Sequence, residues 1–339
     1  MMDGIRESSV TKWFVENIPH VLPPLTFDVI AGGRSNITFK VTDAGGKGYV
    51  LRRPPIGYAL ESAHDMGREY KIISSLGPTD VPVVPALGLC RDKSVNDADF
   101  YVMQFVEGRV FADSIDAADI PLAKRRDLTF DMMDILVRLH RIDPDDVGLG
   151  DLGRKENYAA RQVQRWIRQW ENSKTEDVPE MEEVKRLLQD NIPAQSDATI
   201  VHGDFRIGNF ILQDYKVAAV LDWELCTLGD PQADLAWLLN WWYSANEVDL
   251  GRGDQAPTAV AGFPAREALV DYYQRSTGRD LSRVNYFRAL SYWKLATIAQ
   301  GVYRRYHEGA MIGEGKYDLA SSKRRIHRLA QAALAMLQN

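Results

Sequence analysis

The stretch Val201-His-Gly-Asp-Phe-Arg-Ile-Gly-Asn-Phe-Ile-Leu212 carries more information than any other in the chain. It places Asp204 five residues before Asn209, with His202 just ahead of the aspartate. A tight loop of that length can point a carboxylate and an amide into one space. The carboxylate can accept the proton of an attacking hydroxyl, while the amide oxygen can hold a divalent cation against phosphate oxygens. Eighteen residues beyond Asp204, the apolar run Val217–Leu221 ends on Asp222, followed by Trp223 and Glu224. An aspartate at a strand end suits the same hard, oxygen-seeking cation.

Outward from this loop the two halves of the chain differ. Toward the N-terminus, Phe27–Ala31, Ile37–Val41 and Tyr49–Arg52 are short runs of β-branched and aromatic residues, parted by glycine turns. One helix is expected from His64 to Leu76, closed by Gly77-Pro78, and strands are expected near Val83–Cys90 and Phe100–Val106. From about Leu122 the periodicity becomes helical: Met132, Met133, Leu136, Leu139 and His140 share a face, as do Val184, Leu187 and Leu188. Further helices are expected near Leu235–Ser244, Arg266–Thr277, Val284–Tyr306 and Tyr317–Leu337. Thr199–Val201 and Val217–Leu221 read as strands among them, and Asn246–Pro264 reads as a long loop. The expected fold is α+β, with a small β-rich lobe over 1–106 and a larger, mainly helical lobe over 107–339. The joint between them falls near Gln104–Gly108.

Taken together, these features resemble the aminoglycoside/choline kinase-like phosphotransferases, which share the two-lobed protein-kinase architecture. The resemblance runs from Gly32 to the C-terminal helices. HGDFRIGN at 202–209, LDWE at 221–224 and GDPQADLAWLL at 229–239 carry it. Tyr158-Ala-Ala-Arg-Gln-Val-Gln-Arg-Trp166 and YVLRRPP at 49–55 are similar to the kinase-like domains fused to some acyl-CoA dehydrogenases, and to their stand-alone bacterial relatives.

The resemblance implies transfer of the γ-phosphate of ATP to a hydroxyl of a small molecule, with Asp204 as base and Asn209 and Asp222 as Mg²⁺ ligands. It makes Asp234 a structural carboxylate under the loop. Where protein kinases carry a strand lysine paired with a helix glutamate, this chain has Arg52, with Glu69 as the expected partner and Arg53 as the competing candidate. The nucleotide loop would be Ala31–Ile37, using Gly33, Arg34, Ser35 and Asn36, although it lacks full G-x-G-x-x-G spacing. Adenine would lie against the backbone of Met103, Gln104, Phe105 and Val106. A metabolic acceptor such as a hydroxyacyl-CoA would call on Arg161 and Arg165 for its phosphates. An aminoglycoside would need acidic groups, available as Glu224, Glu247, Asp249 and Asp271.

Composition narrows the alternatives. The chain has 339 residues, 45% of them hydrophobic, enough for one large core or two smaller ones. Forty-one basic against forty-seven acidic residues give a formal charge of −6, which argues against a nucleic-acid partner held by a broad basic footprint. Two cysteines exclude a disulfide scaffold and a cysteine-based zinc site. The first twenty residues lack the pattern of a signal peptide, and no run approaches the roughly 18 apolar residues of a membrane span. A cytoplasmic enzyme with no membrane or obligate protein partner is the expectation. P-loop, nucleophile-elbow, zinc-protease and C-x-x-C motifs are absent. His202 reads as a loop-packing histidine, and Trp237 and Trp241, four apart, as core rather than a cation cage. The competing functional class is a nucleotide-binding, catalytically silent kinase-like regulatory module, favoured by the arginine in place of lysine and the short glycine loop.

Overall fold

A computed structural model describes residues 4–30, 36–56, 65–195, 197–244, 247, 250, 256–309 and 318–338. Contacts divide the chain into two compact units, Met1–Arg109 with Phe210–Leu225, and Val110–Asn209 with Cys226–Asn339. The N-terminal unit is built on five antiparallel strands: β1 (Thr26–Val29), β2 (Ile37–Thr42), β3 (Gly48–Arg53), β4 (Ala86–Cys90) and β5 (Phe100–Gln104). Their order across the sheet is β1-β2-β3-β5-β4. Alternation along β3 sends Tyr49 and Leu51 into a core with Phe39, Val41, Phe100 and Val102. Val50 and Arg52 take the other face, where Arg52 stands directly across from Tyr101 of β5.

The first face is covered by a helix, Glu7–Asn17, in a region the sequence pattern suggests is mostly strand. Only Val10 and Phe14 of that helix are buried, too few to show a period alone. Against the sheet they gain partners. Trp13 meets Phe100 edge-on at 4.9 Å, and Phe14 meets Tyr49 at 5.8 Å. The opposite face receives helix Met66–Leu76, whose Asp65 cap accepts from the Arg68 amide.

The hairpin Phe210–Gln213 and Lys216–Val220 also belongs to the N-terminal unit. Asp214 and Tyr215 turn it with φ of 51° and 61°, the left-handed pair that matches strand twist in a two-residue loop. Bridges tie Val83 to Val220 and Arg109 to Leu212. At Gly108, with φ +148°, a Cβ would stand 2.4 Å from Ile211 Cγ2 and 2.7 Å from the Leu212 carbonyl oxygen, so no larger residue fits. The hairpin therefore belongs with the sheet, although a break near residue 106 would leave it among the helices.

The second unit is mainly helical. Its helices include Leu122–Leu139, Tyr158–Ser173, Pro179–Asp190, Gln232–Asn240, Arg266–Thr277, Val284–His307 and Leu319–Gln338. Trp170 and Trp293, both fully buried, anchor a core with Val163, Met181 and Ala330. A two-stranded ladder pairs Thr199–Val201 with Thr227–Gly229. No helix among the described residues is long and apolar enough to cross a membrane.

Candidate active site

The strand Thr199–Val201 delivers His202, Gly203 and Asp204 to the start of helix Gln232–Asn240, where the fully buried Asp234 waits. Asp234 Oδ2 accepts the His202 amide at 2.6 Å, and Oδ1 accepts the Gly203 amide at 2.8 Å. His140 Nε2 lies 3.3 Å from the same carboxylate, and its Nδ1 lies 2.6 Å from the Tyr273 hydroxyl. Burial alone would raise the Asp234 carboxyl. The His140 contact, the His202 side chain and the Gly203 amide outweigh it and hold Asp234 below its ordinary value. The His202 ring is buried, and its Nδ1 accepts the Asp204 amide at 3.2 Å, so this histidine packs the loop. Gly203 takes φ +84°, a turn that a side chain would strain.

Three donors converge on the Asp204 side chain. Arg206 Nε lies 3.0 Å and 3.3 Å from its two oxygens, Asn209 Nδ2 donates to Oδ2 at 2.7 Å, and Trp237 Nε1 donates to Oδ1 at 2.7 Å. Asn209 Nδ2 also reaches the Asp204 carbonyl at 2.8 Å. With the amide nitrogen engaged, Oδ1 is the atom of Asn209 left to meet a ligand. Trp237 is a part of this site that its packing pattern conceals. It stands three residues after Asp234, hence on the same helix face, and that spacing is the signal that could have found it.

In the N-terminal unit the counterpart is a guanidinium among carboxylates. Arg52 Nη2 lies 3.0 Å from Asp222 and 3.5 Å from Glu224, and its Nε lies 3.3 Å from Glu69. Glu69 Oε2 accepts the Tyr101 hydroxyl at 2.9 Å, and Oε1 accepts Asn36 Nδ2 at 3.1 Å. Burial pulls the Arg52 guanidinium down, but Tyr101, Glu69 and Asp222 together push it further up, so it stays charged. Glu69 is raised above its ordinary value because burial outweighs Arg52 and its two hydrogen bonds. Asp222 ends the hairpin with φ +65°, a conformation uncommon for a residue with a side chain. Arg53 faces the other way, donating to the carbonyls of Gly4 and Asn96. The pairing of Arg52 with Glu69 is thus present, and Arg53 anchors backbone.

The remaining expected residues are spread along the same unit. Met103 and Gln104 end β5, with Phe105 and Val106 following, and the amides of Gln104 and Phe105 are engaged by Pro85 and Gly48 carbonyls. Asn36 is buried, and its Oδ1 has no hydrogen-bond partner, an orphaned acceptor beside the Arg52 cluster. Gly33, Arg34 and Ser35 lie outside the described residues, as does Asp249. Among the described residues no group of three His, Cys, Asp or Glu side chains could cage a metal. Asn209 Oδ1 in the helical unit, and separately the Asp222 and Glu224 carboxylates in the N-terminal unit, are hard oxygen donors of the kind Mg²⁺ accepts alongside water and phosphate.

A family model described as "Phosphotransferase enzyme family" matches residues 26–285, which spans both units. The chain belongs to this phosphotransferase family. A crystal structure of a candidate aminoglycoside phosphotransferase from Ralstonia eutropha superposes on this chain with a TM-score of 0.82 and 30% identity, covering 97% of each chain. An aminoglycoside phosphotransferase bound to ADP and hygromycin B shares the fold at a TM-score of 0.62 and 14% identity, covering 96% of this chain and 99% of that one. Acyl-CoA dehydrogenase family member 11 of Mus musculus is 36% identical over 318 residues, 92% of this chain and 40% of the relative. The Gallus gallus protein of the same name is 38% identical over 302 residues, 86% of this chain and 38% of the relative. The chain thus spans about two fifths of the length of these curated relatives.

Proposed function

We propose that this chain transfers the γ-phosphate of ATP to a hydroxyl of a small molecule, with a hydroxyacyl-CoA as the acceptor. One observation carries the reading: a carboxylate, Asp204, oriented by Trp237, Asn209 and Arg206 on a loop whose backbone is pinned by Asp234. Such fixing lowers the entropy of meeting an acceptor hydroxyl, the main contribution a protein makes to phosphoryl transfer. Asp204 accepts the hydroxyl proton. Arg52, held by Glu69, presents its guanidinium to nucleotide phosphates, with Gly33, Arg34, Ser35 and Asn36 as the proposed phosphate-loop residues. Met103, Gln104, Phe105 and Val106 bound the adenine. Asn209 and Asp222 would hold Mg²⁺, which when bound neutralises phosphate charge.

Several features support an acyl-CoA over a polyamine sugar. Glu247 pairs with Arg266, Glu224 lies against Arg52, and Asp271 is exposed, so two of these acids already meet a cation of the chain itself. Arg161 Nη1 is buried without a hydrogen-bond partner, the kind of donor a phosphate oxygen satisfies. The test is a phosphate-transfer screen with labelled ATP and Mg²⁺ over hydroxylated metabolites, hydroxyacyl-CoAs included. Asp204→Asn is expected to bind ATP as the parent does and to lose turnover, and unchanged turnover in that variant removes the base assignment. ATP binding that needs no Mg²⁺, with transfer to no acceptor, replaces the reading by the silent kinase-like module. The occupation of Arg52 by three carboxylates is what favours that second reading.

A further inference from the structure

Helix Val284–His307 carries Lys294, a half-buried ammonium set against aromatic faces. Its Nζ lies 4.3 Å from the centroid of the Trp237 ring and 5.6 Å from that of Trp166. Among the described residues, no ion pair or hydrogen bond of this ammonium is found. Trp237 is the residue whose indole nitrogen donates to Asp204, so one indole links the lysine to the carboxylate. Two further cations rest on neighbouring rings: Arg165 over Trp166 at 5.5 Å, and Arg206 over Trp241 at 5.4 Å.

An ammonium carries three donors and no acceptor, and a ring face satisfies it only electrostatically. Burial pulls Lys294 down to about 8, and Arg165 adds to this while Asp204 and Asp234 oppose it. Among the described residues this charge has no anionic partner, and one indole links it to the carboxylate that addresses the acceptor. Core packing alone would be served as well by methionine.

We infer that Lys294 determines acceptor specificity, its ammonium receiving an acyl oxygen of the acceptor and its charge turning away amine-rich acceptors. The inference rests on the reading of Asp204 as the group that faces the acceptor hydroxyl. The oxygen can be the carboxylate of a free hydroxy acid or the carbonyl of its thioester. Because a single indole separates Lys294 from Asp204, the reacting hydroxyl stands a few carbons from the acyl carbon. No bond is made or broken at Lys294; it is a positioning residue.

The experiment is calorimetric titration of the full chain with 3-hydroxybutyrate, 3-hydroxybutyryl-CoA and hygromycin B, for the parent and for Lys294→Met, Lys294→Gln, Lys294→Arg and Lys294→Glu. Loss of the donor is expected to weaken acyl-probe binding at least about tenfold in the Met and Gln variants, while Arg stays within about threefold. The Glu variant is expected to weaken acyl binding further and to gain affinity for hygromycin B. A loss confined to the free acid identifies a carboxylate, and an equal loss for both probes identifies the shared acyl oxygen; either supports the assignment. Binding within twofold of the parent in Met and Gln overturns it, as does failure of the parent to bind either acyl probe. A parent that binds the acyl probes with this dependence yet transfers no phosphate overturns the proposed function and leaves the assignment standing. Circular dichroism confirms that each variant is folded, and Gln stands in should Met fail.

Discussion

Replacing Arg52 with methionine tests the charge cluster of the N-terminal unit directly. The guanidinium has only 14% of its side chain exposed and faces Glu69 at 4%, Glu224 at 22% and Asp222 at 32%. The energetic weight falls on Glu69, which is left charged and buried when its partner goes, a change that costs about 3–5 kcal/mol. Asp222 and Glu224 are closer to water, and each pair contributes no more than about 1 kcal/mol. At roughly 2–4 °C per kcal/mol, the melting temperature is expected to fall by about 6–20 °C. Acidity gives a second signature. Glu69 already sits above its ordinary value, and without Arg52 it rises further, so the folded state holds a proton that the unfolded chain releases. Stability of Arg52→Met therefore rises as pH falls from 8 to 5.5, and its deficit against the parent narrows. Adding Glu69→Gln to the same chain removes the orphaned charge, keeps an acceptor for Asn36 Nδ2 while its amide donates to the Tyr101 hydroxyl oxygen, and is expected to restore most of the loss. Differential scanning calorimetry at both pH values checks all three. A fall under about 2 °C, an equal fall at both pH values, or a double variant no more stable than the single one would refute this account of Arg52.

Three further perturbations follow from the second unit. Trp237→Phe keeps an aromatic face beside Lys294 but removes the donor to Asp204, so kcat is expected to drop about 10- to 100-fold with KM changed less, as read by steady-state kinetics. Asp234→Asn removes a carboxylate that accepts two loop amides and is expected to destabilise the fold by about 2–4 kcal/mol in urea melts at pH 7. Because Asp234 is depressed in the folded state, its contribution is present above the unfolded carboxylate range and fades as pH falls through its folded value, so parent and variant should converge in acid. Lys294→Met should stabilise the chain by up to about 3 kcal/mol at pH 7, since the difference between 10.5 and about 8 is charge the fold must hold unpaired. Between those values the unfolded chain binds the extra proton, so parent stability rises with pH and the advantage of methionine shrinks; thermal melts at pH 7 and 9.5 would show it.

Short-range pattern made much of this molecule legible. The expected Ile37–Val41 and Tyr49–Arg52 correspond to strands Ile37–Thr42 and Gly48–Arg53, and helix Arg266–Thr277 has the expected bounds. Glycine turns and period-two alternation are local properties, written in a few neighbouring residues. The helix Glu7–Asn17 was not legible, because two buried residues make no period until a sheet covers them. The helix expected over Leu235–Ser244 begins at Gln232 and ends at Asn240 because its first turn is fixed by the buried Asp234 under the loop. The glycine loop at 31–35 and much of 246–264 fall outside the described residues.

By itself, the sequence determines the spacing of Asp204, Asn209 and Asp222, the strand-then-helix order and the family to which they belong. Those are properties of neighbours along the chain, where backbone geometry sets what can share a loop. Tertiary structure alone decides which of two adjacent arginines meets Glu69, since alternate strand residues face opposite sides and only packing says which side holds the helix. It also decides that the hairpin bearing Asp222 joins the sheet, that Trp237 is a donor rather than filler, and that Lys294 meets ring faces with no anion among the described residues. Each depends on residues tens of positions apart, whose energies arise from burial and partner geometry that no local pattern encodes.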